Sequence, residues 1–419
     1  MIRRFIIVDM KTSLKQFLIS FLKIFVLIGH LTFLPSITAL TLSCCKISAG
    51  GSEDSNLHGE GAVKVSEEKV VLSQNSEQDS NGGDFIMLSV SFSEGRASDE
   101  IILGEDLIEV PYKTSVAPFK LAKFETTYNV WYQVCQWAEK NGYTIQNKGV
   151  EGVFGEVEKE QNMSEPGSPP KLRGMPVCRI SWRDAMVWCN ALSEMQHLTP
   201  VYCTDIDFKI PIRDSTGAAF NDLGNYAIQP GQVDNPYVNK AANGFRLPYV
   251  AEWEYAARKK PDGTSISGRN VSGDENGSAI DTTATENMNG LSFTKSTKQN
   301  NYCWQRSNSA GESDTTALGE SDLNQDISKL LGKNVSGRRT HICGGKLPNA
   351  LGFFDMSGNV PEWCFEYDLN YGSVYKFSTA RALRGGDHLN DIVGSRCAGY
   401  KGGALVGLLF GFRLAQNAD

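Results

Sequence analysis

The stretch Leu347-Pro-Asn-Ala-Leu-Gly-Phe-Phe-Asp-Met-Ser-Gly-Asn-Val-Pro-Glu-Trp363 decides the fold of this chain. Two short runs follow it, Arg384-Gly-Gly386 and Gly411-Phe-Arg-Leu414. A longer run precedes it, Gly244-Phe-Arg-Leu-Pro-Tyr-Val-Ala-Glu-Trp-Glu-Tyr-Ala-Ala-Arg258. Between Gly386 and Gly411 lies a segment of different character, and that segment bears most on function.

The four runs resemble the formylglycine-generating-enzyme family, also called sulfatase-modifying factors. The resemblance covers residues from about 85 to 415, and Met175-Pro-Val-Cys-Arg-Ile-Ser-Trp-Arg-Asp-Ala185 belongs to it. It implies an α+β protein with a C-type lectin fold of the formylglycine-generating-enzyme subclass. Long polar insertions, rich in Gly, Ser, Asn and Asp, interrupt the pattern at about 205–242, 262–299 and 311–338.

The N-terminus is typical of an exported protein. Basic residues precede an apolar run, Ile24 to Leu42, which ends at Ser43-Cys44-Cys45. Residues 1–43 are therefore predicted to be a lipoprotein signal peptide, with Cys44 as the lipid acceptor and Cys45 as the weaker candidate. A membrane-spanning anchor and an ordinary cleaved signal peptide remain open, and Met10 is an alternative to Met1 as the start.

The rest of the chain divides into a tether and one domain. Residues 44–83 are rich in Gly, Ser, Glu and Asn, a composition that buries too little surface to offset the entropy of ordering. They are predicted to be a flexible tether. The lectin-type domain is predicted to span 84–419, to begin with a strand at 85–92, and to carry a variable region at about 384–413.

Two core helices are predicted within this domain. Ser181 followed by Asp184 resembles a capping box at the start of the first helix. The second helix spans 250–258 and stops before Pro261. The apolar residues that give the first helix its periodicity are Ala185, Trp188, Cys189 and Leu192.

Charge and cysteine content limit the classes of function. The formal net charge is −7 and the body has no cluster of Lys and Arg, so a nucleic-acid partner is not expected. An even number of cysteines in an exported chain permits disulfides, whereas buried unpaired thiols are the alternative. The cysteines of the body are Cys135, Cys178, Cys189, Cys203, Cys303, Cys343, Cys364 and Cys397.

The family resemblance implies a calcium site in the deciding stretch. Calcium takes about six to eight oxygen ligands, which a tight loop supplies from carboxylates and carbonyls. The matching positions are the side chains of Asp355 and Glu362 and the carbonyls of Gly358 and Val360. A structural calcium ion is therefore one expectation, and the alternative is that both acids cap the turn without a metal.

The resemblance also implies a copper centre in the active members of the family, held by two cysteine thiolates that follow the Arg-Gly-Gly run. The matching positions here are about Asn390 and Ser395, and neither is cysteine. Copper is therefore not expected as a cofactor, and oxidase activity is not expected either. The scattered histidines and the absence of hydrolase or nucleotide-binding motifs support no other enzyme class.

The segment 387–410 has an unusual composition. It contains no Trp, Met, Gln or Glu and has no helical or strand period. In this respect it resembles the variable regions of spirochaetal, treponemal-type lipoproteins that are diversified by retroelements. Such a design implies side chains that face a ligand. The predicted contact residues are Asp387, His388, Leu389, Asn390, Asp391, Val393, Ser395, Tyr400, Leu405 and Leu408, although 408–410 read equally well as a buried final strand.

Two functions follow from these patterns. The first is a monomeric, lipid-anchored protein on the surface of a bacterial outer membrane, which binds an unknown protein or glycan through its C-terminal face. The second is a degenerate or accessory enzyme of the sulfatase-modifying-factor type in the cell envelope. The missing cysteine pair favours the first.

Overall fold

The computed structural model describes residues 62–72, 84–104, 111–156, 159–217, 229–274, 280–288, 291–296, 298–310, 331–332, 334–367, 381–390, 392–397, 401–403 and 410–418. The predicted signal peptide and the lipid acceptor Cys44 lie outside these residues. Within the described residues, no helix has the length and apolar character needed to cross a bilayer.

The described secondary structure is a mixture of short strands and a few helices. The helices are α1 (Tyr128–Lys140), α2 (Trp182–Met195) and α3 (Val250–Arg258). The strands of the N-terminal part are β1 (Val63–Val70), β2 (Phe85–Phe92), β3 (Asp99–Leu103), β4 (Tyr112–Val116), β5 (Phe119–Ala122), β6 (Val150–Glu151), β7 (Val153–Phe154), β8 (Gln161–Asn162) and β9 (Val177–Cys178). Those of the C-terminal part are β10 (Tyr202–Cys203), β11 (Tyr237–Val238), β12 (Phe245–Arg246), β13 (Ile280–Met288), β14 (Leu291–Ser296), β15 (Glu362–Tyr367), β16 (Arg381–Arg384), β17 (Lys401–Gly403) and β18 (Ala415–Asn417).

An antiparallel sheet of order β1-β2-β5-β18-β12 forms the centre of the molecule. Its side chains alternate between two cores, as the pleat requires. Ala122 and Leu414 point to the core that contains α1 and α2, whereas Leu121 and Ala415 point to the core that contains α3. The sheet is therefore covered on both faces, and the C-terminal strand β18 lies inside it.

The two predicted core helices, α2 and α3, form where the sequence predicts them. The capping box at Ser181 and Asp184 is present, and α3 has the predicted bounds. On the first core, the Trp131 ring of α1 stacks on the Trp188 ring of α2 with centroids 5.4 Å apart. The Phe412 ring packs edge-on against both, so the Gly-Phe-Arg run is built into the helix pair.

The predicted tether, residues 44–83, includes one segment that belongs to the folded domain. Residues 63–70 form β1, which pairs with β2 from Val63 opposite Phe92 to Val70 opposite Phe85. An ion pair that reaches across β2, between Lys120 of β5 and Glu68 of β1 at 2.8 Å, reinforces this edge. An edge strand with one exposed face is rich in polar residues. The composition of residues 63–70 therefore resembled that of a tether. Residues 44–61 and 73–83 lie outside the described residues.

The polar insertions are not loops throughout. The first contains β11, which pairs with β10, and the second contains the hairpin of β13 and β14. A separate sheet of order β15-β16-β17 follows the deciding stretch. It places Arg384, the start of the predicted variable region, next to Glu362 in the strand register.

Candidate ligand-binding site

Two buried ion pairs fix the ends of the predicted variable region. At its start, the Arg384 guanidinium lies 3.0 Å from the Glu254 carboxylate of α3, which also binds Arg258 at 2.9 Å. At its end, the Arg413 guanidinium binds Glu362 through two hydrogen bonds of 2.6 Å each. All five side chains are buried. The segment is therefore held at both ends by charges that have no access to water.

A tight turn follows Arg384. Gly385 and Gly386 have φ angles of +88° and +72°, which favour glycine. A Cβ atom at Gly386 would lie 2.4 Å from the carbonyl oxygen of Gly394, so no other residue fits. The turn brings residues 386 and 394 into contact and closes the segment 386–395 into a compact loop.

The Asp387 side chain is turned into this loop and accepts hydrogen bonds from the residues that follow it. Its carboxylate accepts hydrogen bonds from the backbone N–H groups of Leu389 at 2.9 Å and Asn390 at 2.8 Å, and from the Asn390 side chain. Asp387 and Leu389 are buried, and Asn390 is half-buried. An Asx turn of this kind stabilises the loop rather than presenting the acid to a ligand.

Asn359 connects the loop to the core. Its backbone carbonyl accepts a hydrogen bond from the His388 N–H at 3.0 Å and lies 3.1 Å from the His388 Nδ1 atom. Its side chain accepts from the His341 N–H at 2.8 Å and donates to Glu125 at 2.6 Å. Asn359 has a φ of +58°, which asparagine tolerates better than most residues. Its side chain and carbonyl therefore hold four groups in one geometry.

His388 is a neutral, buried side chain. Because the Asn359 carbonyl only accepts, Nδ1 carries the proton and Nε2 has the lone pair. Nε2 is buried, and none of the described residues gives it a hydrogen-bond partner. Burial lowers the pKa of His388 to about 4, although neighbouring Asp387 acts in the opposite direction. This imidazole therefore stays uncharged at neutral pH.

The loop ends in buried residues, Ser395 and Cys397 among them. Ile392–Ser395 form a 3₁₀ turn, in which Gly394 is exposed and Ser395 is buried. The Ser395 hydroxyl faces the Cys303 thiol, whose pKa burial raises to about 12. Cys397 is buried as well, and its thiol lies 3.5 Å from the Ala257 carbonyl.

These positions correct part of the predicted contact surface. Asp387, His388, Leu389 and Ser395 are buried and serve the loop itself, so they do not face a ligand. Asn390 is half-buried at the edge. Val393 is described only in its backbone, and the contact residues that lie outside the described residues are Asp391, Tyr400, Leu405 and Leu408.

The alternative of a buried final strand at 408–410 is tested at one residue. Phe410 is half-buried, and its ring packs edge-on against Trp363 with centroids 5.0 Å apart. Phe410 thus contributes to the core rather than to an exposed apolar patch. Residues 408 and 409 lie outside the described residues.

Comparison with known proteins settles the family. The model of the sulfatase-modifying factor enzyme 1-like domain matches residues 72–418. The chain belongs to the sulfatase-modifying-factor family. Its mixture of helices and antiparallel sheet is the α+β, C-type-lectin-like fold of that family, as the sequence predicts.

Other relatives match over shorter or more divergent stretches. A chaperone protein LppX from Paenibacillus barcinonensis is 29% identical over 215 residues, which are 51% of this chain and 60% of that protein. Treponema denticola variable protein 1 is 21% identical, with a TM-score of 0.49, 84% of this chain covered and 99% of that one. CarF is 22% identical, with a TM-score of 0.46, 77% of this chain covered and 99% of that one.

At the calcium site that the sulfatase-modifying-factor family implies, one of the two carboxylates, Glu362, is already ion-paired, and calcium stays a prediction. Both oxygens of Glu362 are bound by Arg413, and the Trp253 indole N–H donates to one of them at 2.7 Å. Asp355 accepts the Gly344 N–H at 2.6 Å. The positive charge that contacts Glu362 is thus the Arg413 guanidinium. Among the residues that the structure describes, no group of three His, Cys, Asp or Glu side chains could hold a metal ion.

The carboxylates of this region are unusual in a different way. Burial raises the pKa of Asp355 to about 6 and raises that of Glu125 well above its ordinary value. The nearby Arg413 lowers both, but one guanidinium cannot neutralise Glu125, Asp355 and Glu362 together. Asp355 and Glu125 therefore take up protons more readily than exposed carboxylates do.

The residues at the matched positions also do not fit copper(I). This soft ion requires thiolates, and Asn390 and Ser395 supply an amide and a hydroxyl. The eight cysteines of the body are free thiols and buried, and desolvation raises the pKa of Cys397 and of Cys303. The sequence left open disulfides or buried unpaired thiols, and the structure has buried unpaired thiols.

Sequence reasoning missed the residues that support the loop. Trp304 stacks on His341 with ring centroids 3.6 Å apart, and both lie beneath the loop with Asn359. The His341 Nε2 atom lies 3.0 Å from the Ser309 carbonyl, and the Ser309 hydroxyl donates to the His388 carbonyl at 2.7 Å. The only available signal was the Gly358-Asn359 pair, which is typical of a left-handed turn.

Proposed function

We propose that this protein is a lipid-anchored binding protein of the bacterial envelope, which holds a ligand on the segment between Asn390 and Phe410 and performs no oxidation. The observation that carries the proposal is the pair of buried ion pairs, Arg384 with Glu254 and Arg413 with Glu362. They fix the segment without using the side chains between them. A frame of this kind tolerates changes in the contact residues.

The geometry of the loop supports two roles within the segment, one structural and one for contact with the ligand. Asp387, His388, Leu389 and Ser395 form a buried floor. The proposed contact residues are the remaining ones, Asn390, Asp391, Val393, Tyr400, Leu405 and Leu408. The ligand is a protein or a glycan on another molecule, and no nucleic acid is expected because the chain is acidic.

The chemistry of the loop supports binding over catalysis. Copper-dependent oxidation requires two thiolates that hold the metal. The side chains at those positions are Asn390 and Ser395, and Cys397 contacts the Ala257 carbonyl instead. Uptake of oxygen by the copper-loaded protein with a cysteine-containing peptide would contradict the proposal.

The envelope location is proposed from the N-terminal sequence. Ser43-Cys44 follows an apolar run, and a diacylglycerol on Cys44 would anchor the chain in the outer membrane. Labelled palmitate is expected in the wild-type protein and in Cys45→Ala, but not in Cys44→Ala. Equal labelling of all three would contradict the assignment, and protease treatment of intact cells then tests whether the domain faces outward.

Binding is tested with the full-length protein in detergent on protein and glycan arrays. We expect discrete signals for the wild type, and their loss in the triple variant Asp391→Ala, Tyr400→Ala, Leu405→Ala. The matched control is Glu100→Ala with Lys113→Ala, which removes an exposed ion pair between β3 and β4. Signals that survive the triple variant would place the binding site elsewhere, and a wild type without any signal would contradict the proposal.

A further inference from the structure

A cavity of about 260 Å³ lies outside the predicted variable region. It is bounded by the starts of β2 and α1, by the loop that joins β5 to α1, and by residues 173–174 and 342–343. None of its lining residues belongs to the segment 384–413. We propose that this cavity is a second binding site, for a small ring compound that carries one hydroxyl or N–H group.

The walls of the cavity are mainly apolar. The side chains that supply them include Phe85, Ile86, Phe124, Val130 and Ile342. Charged residues occur at the mouth, where Lys69 and Asp84 form an ion pair of 2.5 Å. Apolar walls with few polar groups are typical of small-molecule sites. A flat or aliphatic ring therefore suits the interior better than a charged group.

Among the carboxyl, hydroxyl and amide side chains that line the cavity, Glu125 and Thr126 are the buried ones, and they differ in what they offer. The oxygens of Glu125 already accept hydrogen bonds from the Asn359 side chain at 2.6 Å and from the Val360 N–H at 3.2 Å. The Thr126 hydroxyl, by contrast, is buried and has no hydrogen-bond partner in the described part of the chain. A buried hydroxyl without a partner loses stabilisation that a ligand group would restore. Thr126 therefore defines the polar contact.

The volume sets the size of the compound. A dry apolar cavity of about 150 Å³ in another protein accommodates benzene. By that comparison, 260 Å³ accommodates roughly ten non-hydrogen atoms. A substituted phenol or an indole has this size and carries a single polar group that donates a hydrogen bond.

The experiment compares p-cresol with toluene, and indole as a second donor, by titration calorimetry on the full-length protein. We expect p-cresol and indole to bind in the micromolar to millimolar range, and p-cresol to bind more tightly than toluene. Thr126→Val keeps the shape of the side chain and removes its hydroxyl. It should weaken p-cresol about fivefold, which corresponds to one ordinary hydrogen bond, and leave toluene unchanged.

Val130→Phe fills the cavity from α1 and should abolish binding of all three probes. Thr199→Val, at an exposed residue, is the matched control and should change nothing. Thermal melts establish that each variant is folded, and Thr126→Val alone decides the polar contact if Val130→Phe does not fold. No binding of the probes to the wild type up to their solubility limits would overturn the proposal, as would equal losses for p-cresol and toluene in Thr126→Val.

Discussion

Arg413 and Glu362 form an ion pair in which both side chains are completely shielded from water. Arg413 also donates to the carbonyls of Ala122 at 3.1 Å and Phe354 at 2.9 Å. One guanidinium thus joins the central sheet, the deciding stretch and the end of the predicted variable region. The pair occupies the Glu362 carboxylate that a calcium ion would require.

Glu362→Gln is expected to destabilise the protein by about 3–5 kcal/mol, because it removes the carboxylate that binds the buried Arg413 charge directly through two hydrogen bonds. Chemical denaturation with urea measures the loss. The control is Glu100→Gln, whose partner Lys113 is largely exposed, and it should cost under about 1 kcal/mol. Equal small losses in both variants would show that the buried pair does not hold the segment.

Asn359→Gly is expected to cost about 2–4 kcal/mol. Glycine keeps the positive φ angle but leaves the His341 N–H without its acceptor and removes one of the hydrogen bonds to the Glu125 carboxyl. Asn243→Gly removes a comparable contact at an exposed residue, to the Thr199 N–H, and should cost about 1 kcal/mol or less. Urea denaturation of both variants checks this, and a loss below that of Asn243→Gly would refute the role of Asn359.

His388 gives the stability a defined pH dependence. Its pKa is about 4 in the folded protein and about 6.5 in the unfolded chain, so the unfolded chain binds more protons between these values. This contribution to stability is present above pH 6.5 and is lost as the pH falls towards 4. Between pH 7.5 and pH 5, the loss is about 2 kcal/mol.

The measurement is the free energy of unfolding at pH 7.5 and pH 5 for the wild type, His388→Asn and a control, His197→Asn, at an exposed residue. The side-chain amide that His388→Asn introduces can still donate to the Asn359 carbonyl. We expect the wild type and the control to lose about 2 kcal/mol more than His388→Asn on acidification. The comparison with a variant separates this effect from that of Asp355, whose raised pKa of about 6 favours the fold at low pH. Parallel losses in all three proteins would contradict the prediction.

The strand β1 predicts slow hydrogen exchange in a region whose composition is that of a tether. Backbone amides of 63–70 that pair with β2 should exchange at least tenfold more slowly than those of an unstructured peptide of the same sequence. Hydrogen exchange with mass spectrometry of the full-length protein measures this. Exchange at the rate of the unstructured peptide would show that residues 63–70 belong to the flexible tether.

The sequence predicted the elements whose signals are local. The strand 85–92 and the helices after Ser181 and Tyr249 have periodic apolar residues and, for α2, a capping box. The family-defining runs predicted the fold because their residues serve it directly, as Arg413 and Arg384 do. Strand β1 was not predicted, because a strand at the edge of a sheet has a polar exposed face and its composition is then similar to that of a tether.

The site was predicted less well, for physical reasons. The sequence shows which residues are polar but not which way they point. Asp387 and His388 were expected at the surface because their segment resembles a diversified variable region, whose side chains face a ligand. Asp387 instead caps its own loop, and His388 donates to the Asn359 carbonyl. The Asx pattern after Asp387 was a usable signal for the first, but nothing local predicts the second.

The central claim is that the buried frame carries the stability of the segment and the contact side chains do not. It is tested by the melting temperature of the variant in which Asp391, Val393, Tyr400, Leu405 and Leu408 are all replaced by alanine, compared with the triple variant Asp387→Ala, His388→Ala, Leu389→Ala. We predict that the first melts within about 3 °C of the wild type and that the second melts about 10 °C lower or more. A fall of about 10 °C in the first variant would show that those side chains belong to the core, and it would contradict the account.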